Sequence, residues 1–157
     1  MARRYFRRVA THYQGTIAEI RALDAYIKLV PASESVVGRI GQNLRAEDEL
    51  PLSQFGVLEA LWHLGPLCQR DLGLKILKSS GNMTMVVDNL EKRALVDRRK
   101  NADDRRVTEV HLTAKGPALI EDIFPRHAGQ ITEELGRLTA AEQKQLGALC
   151  RKLGLAD

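Results

Sequence analysis

The chain has 157 residues, a formal net charge of +4, a hydrophobic share of 44% and a charged share of 28%. These values are typical of one folded domain with a core of its own, and they exclude a disordered or fibrous chain. No apolar run reaches the roughly 18 residues of a membrane span, and the basic N-terminus lacks the apolar stretch of a signal peptide. We therefore expect a single domain over residues 1–157, located in the cytoplasm and without a membrane partner.

The first third of the chain predicts helices that follow a basic N-terminal arm, residues 1–15. Apolar residues recur at helical spacing over residues 16–29 and again from about Ser33 to Arg45. Pro31 stands between the two runs. It predicts an interruption or a kink, because proline removes a backbone donor and clashes with the preceding turn.

The next segment predicts two helices separated by a strong terminator. The first runs from Leu52 to Leu64 and ends at Gly65-Pro66. Leu67 is then expected to form a very short strand. The second helix, Cys68 to Leu77, opens with Cys-x-x-Asp, which is the spacing of a capping box with Cys68 in the usual place of Ser or Thr. The residues expected to face inward from the first of these helices are Phe55, Leu58, Leu61 and Trp62.

A capped helix followed by a basic hairpin is the most informative pattern in the chain. Ser79 is a good N-cap for a helix that reaches about Arg93. Its expected inward face is Met83, Val86, Val87 and Leu90. Two β-rich runs, Leu95 to Arg99 and Arg106 to Leu112, follow with the polar turn NADD between them, which predicts a hairpin. Residues 92–106 hold seven Lys or Arg against three Asp, and positive charge beside such a helix is typical of a nucleic-acid binder.

The C-terminal part of the chain predicts two more helices. Thr113 is expected to cap a long helix that reaches about Leu138, with a kink at Pro125 in its middle. The sequence from Thr139 to Glu142 is a capping box, and it opens a final helix that ends at about Leu153.

The order of these elements predicts a winged helix-turn-helix lobe over residues 51–112. The expected fold class is mainly α with a small β-hairpin wing. The end helices, residues 16–48 and 113–155, are too long to pack fully on so small a lobe, so we expect a symmetric homodimer to bury their apolar faces. Such a dimer would set two recognition helices side by side, as a palindromic operator requires.

Four segments, in the right order and spacing, resemble the MarR family of bacterial transcription regulators (the multiple-antibiotic-resistance regulators). They are Leu52–Gly73, Ser79–Val96, Asp97–Gly116 and Leu138–Leu153, and the resemblance extends over about residues 17–155. It implies a dimeric regulator, which we expect to be a repressor, on a near-palindromic operator. Family members often respond to small aromatic or phenolic ligands, or to oxidants through a cysteine.

The start of the predicted recognition helix is expected to read bases in the major groove. Asn82 and Thr84 can hydrogen-bond to base edges, and the methyl groups of Thr84 or Met85 can touch thymine methyls. Gly81 allows the backbone to approach closely. The family often carries Arg where Met85 and Asn89 stand, and it usually carries Gly in place of Ala94, where a left-handed residue closes the helix.

The hairpin is expected to reach the adjacent minor groove with Arg105 or Arg106, since Asp104-x-Arg106 matches the family's Asp-x-Arg. The alternative is a surface pair of Asp104 with Arg106, which would stabilise little. All expected DNA contacts are Ser79, Ser80, Gly81, Asn82, Thr84, Met85, Asp88, Arg99, Asp104, Arg105 and Arg106.

Few residues are candidates for an effector, redox or metal site. Trp62 and His63 can line an effector pocket, although Trp62 is first of all a core residue. Cys68 stands at a helix start, a position where thiols can be reactive, but oxidant-sensing members place their cysteine near the start of the first helix, where this chain has none. The histidines have no carboxylate or cysteine at metal spacing. We therefore expect no metal, no cofactor, no catalytic residue and no enzymatic activity.

Three kinds of function remain open at this point. The first is a DNA-binding regulator released by a small aromatic or phenolic effector. The second is a redox-responsive regulator that senses through cysteine, and the third is a helical dimer that binds a protein partner without DNA. The basic hairpin and the intact Asp104-x-Arg106 favour DNA binding.

Overall fold

A computed structural model describes residues 12–76 and 80–154 of the chain. It is mainly helical, with a small antiparallel sheet, as the sequence predicts. In chain order the elements are α1 (Ile17–Asp48), α2 (Leu52–Leu64), β1 (Leu67–Cys68), α3 (Gln69–Lys75), α4 (Ser80–Lys92), β2 (Val96–Lys100), β3 (Thr108–Leu112), α5 (Lys115–Leu135) and α6 (Ala140–Gly154). None of the helices in the described ranges is long and apolar enough to cross a membrane.

The chain divides into two compact units, one that ends at Gln42 and one that begins at Asn43. The boundary falls inside α1. The first unit therefore consists of the greater part of α1 and the residues before it, and the second contains the remaining elements. A single domain over residues 1–157 stays a prediction.

Helix α1 is continuous, so the interruption predicted at Pro31 is wrong. Pro31 lies inside one helix that runs from Ile17 to Asp48, because a proline removes a single backbone donor while the turns on both sides keep theirs. The helix opens with a capping box that the sequence reading missed. Thr16 N donates to Glu19 Oε2 at 2.7 Å, and Glu19 N donates to Thr16 Oγ1 at 3.3 Å.

The sheet of the second unit has the strand order β1-β3-β2, with both pairings antiparallel. Arg98 lies opposite Val110, and Arg99 lies opposite Glu109. Side chains alternate between the two faces of a strand. The face that carries buried Val110 therefore also carries Arg98, and the opposite face carries Arg99 and Glu109.

The turn of the hairpin is longer than predicted, and β3 begins at Thr108 rather than Arg106. The Asn101 side chain is the cause, since its Oδ1 accepts hydrogen bonds of 2.8 Å from the backbone N of both Asp103 and Asp104. The backbone then closes the loop through Val107 N to Asp104 O at 2.9 Å and Asn101 N to Val107 O at 3.0 Å.

The core of the second unit is formed by residues of α2, α3, α4, α5 and the sheet. Its members include Phe55, Leu58, Leu61, Met83, Val86, Val87, Leu90, Val96, Val110, Ile120 and Ile123. The predicted inward face of α4 is confirmed. The predicted face of α2 is confirmed for its first three residues, while Trp62 is only half-buried.

Several helix ends differ from the prediction. Cys68 is the N-cap of α3, but its side chain makes no capping hydrogen bond within the described residues. The predicted capping box is wrong because a thiol is a weak acceptor. Helix α5 begins at Lys115 and ends at Leu135, short of the predicted Leu138. Ala114 holds the N-cap position, but the predicted cap residue Thr113 accepts a hydrogen bond of 3.2 Å from Lys115 N through its Oγ1. The helix continues through Pro125.

Other helix ends follow the prediction. The capping box at the start of α6 is confirmed, with Thr139 N donating to Glu142 Oε2 at 2.8 Å and Glu142 N to Thr139 Oγ1 at 3.3 Å. Ala94 is left-handed with φ 55, as the family resemblance implies. Ala94 N donates to Glu91 O at 2.8 Å and Leu95 N to Leu90 O at 3.0 Å. These two bonds are the Schellman pattern that closes α4.

Candidate nucleic-acid interface

The start of α4 presents an open polar surface. Gly81, Asn82, Thr84 and Met85 are all exposed, although Met83 between them is fully buried. Met85 is 59% exposed, although the inward face of the same helix is well filled. A Cβ built at Gly81 would meet no atom of the described chain within 4 Å. Packing inside the described part of the protein therefore does not require a glycine at this position.

Two of the predicted contacts cannot be followed in full. Ser79 lies outside the described residues, and so does its predicted N-cap role. Ser80 is the first residue of α4, and its side chain is outside the description. The basic arm up to residue 11 and residue 155 of the predicted dimerisation segment also lie outside it.

The loop between β2 and β3 holds a guanidinium at its tip. Arg106 donates to Asp104 through its backbone N, its Nε and one terminal nitrogen, each at 3.0 Å. These bonds hold the pKa of the Asp104 carboxyl below its usual range and raise the pKa of Arg106. The pair that was the alternative to DNA contact therefore does form. The Arg106 side chain is nevertheless 92% exposed, so Asp104 orients this guanidinium without burying it.

The other hairpin cations differ in how they are engaged. Arg105 is exposed. Arg99 is more than half exposed, and it bonds to Asp97 at 2.7 Å, which lowers the pKa of that carboxyl. Arg98 is turned inward instead. Its terminal nitrogens pair with Glu91 and, at 2.6 Å, with Asp88, and its Nε donates to Gln69 Oε1 at 3.2 Å.

The partner of Asp88 is thus a residue that the sequence reading did not assign. Asp88 was expected to contact DNA, and in the structure its carboxylate faces Arg98. A signal for this was available, because the alternation of β2 places Arg98 on the same face as buried Val96. Its partners could not be read from the sequence, since they lie 7, 10 and 29 residues away.

The two effector candidates touch each other but face different surroundings. The Trp62 and His63 rings lie 4.7 Å apart, and the Phe124 ring of α5 lies 5.4 Å from Trp62 and 5.8 Å from His63. Of the two candidates, His63 alone borders an open groove of about 250 Å³. The residues that line this groove are Gly56, Glu59, Ala60, His63, Leu64, Lys75 and Ile76.

A buried histidine between α2 and α5 was missed by the sequence reading. His127 is 6% exposed, and its ring centroid lies 4.3 Å from that of Phe55. Burial lowers the pKa of His127, and the nearby Glu59 carboxylate opposes that shift. Its Nδ1 has no hydrogen-bond partner among the described residues. The apolar spacing of α5 could have placed this position inside, but a histidine was not expected there.

Cys68 is half-buried and Cys150 is exposed, and both are free thiols. Within residues 12–76 and 80–154, no three His, Cys, Asp or Glu side chains are grouped as metal ligands would be.

Comparison with known proteins identifies the family. The family model described as "MarR family" matches residues 50–108. The HTH-type transcriptional regulator MhqR of Bacillus subtilis (strain 168) is 36% identical over 135 residues, which cover 86% of this chain and 92% of that protein. The chain belongs to the MarR family. It is a DNA-binding transcription regulator with a winged helix, and these relatives are transcription regulators rather than enzymes.

Solved MarR-family structures agree with this fold. The Bordetella bronchiseptica regulator BpsR, whose DNA binding is regulated by 6-hydroxynicotinic acid, matches with a TM-score of 0.74 at 28% identity, and the match covers 94% of this chain and 99% of that chain. Sco3205 of Streptomyces coelicolor, solved in complex with DNA, matches with a TM-score of 0.77 at 21% identity over 90% of this chain and 89% of that one. At 21% identity, the match to Sco3205 shows a shared fold and nothing more.

Proposed function

We propose that this MarR-family regulator represses transcription by binding a near-palindromic operator as a homodimer in the cytoplasm. The start of α4 reads bases in the major groove, and the tip of the β2–β3 loop enters the adjacent minor groove. The observation that carries the proposal is the exposed surface of Gly81, Asn82, Thr84 and Met85 on a helix with a buried opposite face. Side chains of this kind can distinguish base pairs in a major groove.

The β2–β3 hairpin, or wing, also supports this proposal. A minor groove offers mainly negative potential and a degenerate pattern of hydrogen-bonding groups, so a cation suits it better than a reading side chain does. Arg106 is almost fully exposed and held in place by Asp104. Because the guanidinium is already held in one orientation, less side-chain entropy is lost when it binds DNA.

Exposed apolar faces on the end helices support the homodimer. Helix α6 has no buried residue among those described, and Leu146, Leu149 and Leu153 are exposed at helical spacing. In α1 the exposed apolar residues are Ile17, Ile20, Tyr26, Leu29 and Val37. In the proposed homodimer a second copy of the chain buries these faces, through residues 16–48 and 113–155 of each protomer.

A small aromatic or phenolic compound is proposed as the effector that releases DNA. The regulation of BpsR by 6-hydroxynicotinic acid is a property of that relative, and its 28% identity to this chain supports the same chemical class here. Trp62, His63 and Phe124 form an aromatic cluster next to which such a ring could stack. Sensing by Cys68 is the second candidate mechanism, supported by its position as the N-cap of α3.

Selection of DNA from a random pool tests the proposal. The expected result is one enriched sequence with two similar halves about one helical turn apart, bound by two chains as measured by light scattering. Recovery of no enriched sequence, or binding that does not weaken with salt, would contradict DNA reading and favour a module that binds protein. A complex with one chain per site would contradict the homodimer.

A further inference from the structure

Arg98 joins three structural elements of the DNA-binding lobe. It projects from β2 and bonds to Asp88 and Glu91 on α4 and to Gln69 on α3. Its side chain is only 22% exposed, although the hairpin that carries it is otherwise rich in exposed cations. The donors of this guanidinium are therefore directed into the protein.

The two carboxylates that Arg98 binds would otherwise oppose DNA binding. The Asp88 and Glu91 side chains are 46% and 32% exposed on the helix proposed to enter the groove. Two uncompensated negative charges there would repel the phosphates of the duplex. A guanidinium suits the task because its planar fork can bond to several oxygens at once, whereas a lysine ammonium is a single point of charge.

Gln69 extends the arrangement to the base-reading surface. Its Oε1 accepts from Arg98 Nε at 3.2 Å, which requires its amide nitrogen to point the other way. That nitrogen donates to Thr84 Oγ1 at 3.2 Å. A side-chain amide with both ends engaged has one orientation rather than two. The position of the Thr84 hydroxyl is thereby tied to the strand.

We propose that Arg98 is a positioning residue for sequence reading. It fixes α4 against β2 and, through Gln69, it sets the Thr84 hydroxyl for the base edge that this hydroxyl reads. Arg98 does not act as a phosphate contact. The inference rests on the proposed function, because it assumes that the start of α4 reads bases.

A double-mutant cycle tests the inference on the full-length chain. The measured quantity is the ratio of affinities for the selected operator and for a scrambled duplex, together with the salt dependence of both. Arg98→Lys keeps the charge and should lower the ratio by about tenfold, the loss of one good base contact. Binding to scrambled DNA and its salt slope should stay within about twofold, as expected for a residue that touches no phosphate. In a Thr84→Val background, Arg98→Lys should cause little further loss.

Gln69→Ala is the second variant, and it removes only the link between Arg98 and Thr84. It should lower the ratio as Arg98→Lys does, even if Arg98→Lys does not fold. Arg93→Lys is the matched control. Arg93 also bonds within the second unit, to Glu49 O at 3.3 Å and Gln54 Oε1 at 3.4 Å, and these partners are neither Gln69 nor Thr84. Its ratio should equal that of the wild type.

The outcomes separate the inference from the function beneath it. A wild-type protein that binds operator and scrambled DNA equally would contradict the proposed function itself. A wild type that discriminates while Arg98→Lys and Gln69→Ala keep its ratio would contradict the positioning role alone. The same holds if Arg98→Lys weakens both duplexes equally, or if its loss adds fully to that of Thr84→Val.

Discussion

The hydroxyl of Thr113 donates a 2.7 Å hydrogen bond to the carbonyl of Ala94, at the point where α4 closes in a left-handed turn. Thr113 Oγ1 also accepts a hydrogen bond from Lys115 N at 3.2 Å. The end of α4 is thus joined to the beginning of α5 through one side chain. Ala94 has a left-handed φ of 55 at this point, a backbone conformation that is unfavourable for an L-residue other than glycine.

Ala94→Gly should raise the melting temperature. A left-handed conformation costs an L-residue about 1 kcal/mol, and glycine adopts it freely. Part of the gain is lost to the greater freedom of glycine in the unfolded chain, so we expect an increase of about 2 °C. Ala114→Gly is the matched control, since Ala114 has right-handed φ and ψ values of −59 and −25, and it should lower the melting temperature. If Ala94→Gly also lowers it, the closing turn does not strain the chain.

Gly81→Ala should separate stability from DNA binding. Nothing in the described chain lies within 4 Å of the added Cβ, and alanine favours a helix over glycine by about 1 kcal/mol. The variant should therefore melt at a higher temperature. The same methyl group should weaken operator binding, because it projects from the surface that approaches the groove. Calorimetry and a binding titration on one preparation give both values, and unchanged operator affinity would remove Gly81 from the interface.

Burial of His127 should make stability depend on pH. Its pKa is lowered in the folded state, so below the ordinary histidine value of about 6.5 the unfolded chain binds more protons than the folded one. Stability should then fall as the pH drops through that range, by at most about 1.4 kcal/mol per pH unit from this group. His127→Leu should flatten this part of the profile, measured by denaturant unfolding from pH 7.5 to 5.5 at a fixed chain concentration. An identical slope in the variant would show that other groups cause it.

Local patterns were sufficient to predict most of the second unit. The inward face of α4 and the capping box at Thr139 each depend on residues no more than a few positions apart. The left-handed Ala94 followed instead from the family resemblance. The interruption predicted at Pro31 was wrong because one proline removes a single backbone donor, and the long helix on both sides keeps its own hydrogen bonds. Cys68 misled because its position matched a capping box while its thiol lacks a strong acceptor.

The candidate site was predictable in its exposed residues but not in its internal bonds. Asn82, Thr84 and Met85 follow from helical spacing alone. The role of Arg98 depends on how β2 packs against α4 and α3, so its partners are fixed only when the tertiary structure forms. For the same reason the contact between the His127 and Phe55 rings could not be read from α5 by itself, although the apolar spacing of that helix could have marked the position as internal.

The most direct measurement compares Asn82→Ala and Arg106→Ala on operator and scrambled DNA at several salt concentrations. Asn82→Ala should cost about 1–3 kcal/mol on the operator and little on scrambled DNA, because a base contact is lost. Arg106→Ala should weaken binding to both duplexes and reduce the salt slope by about 1, because a charge in the groove is lost. Equal weakening of both duplexes by Asn82→Ala, or unchanged affinities with Arg106→Ala, would contradict the division between a reading helix and a gripping wing.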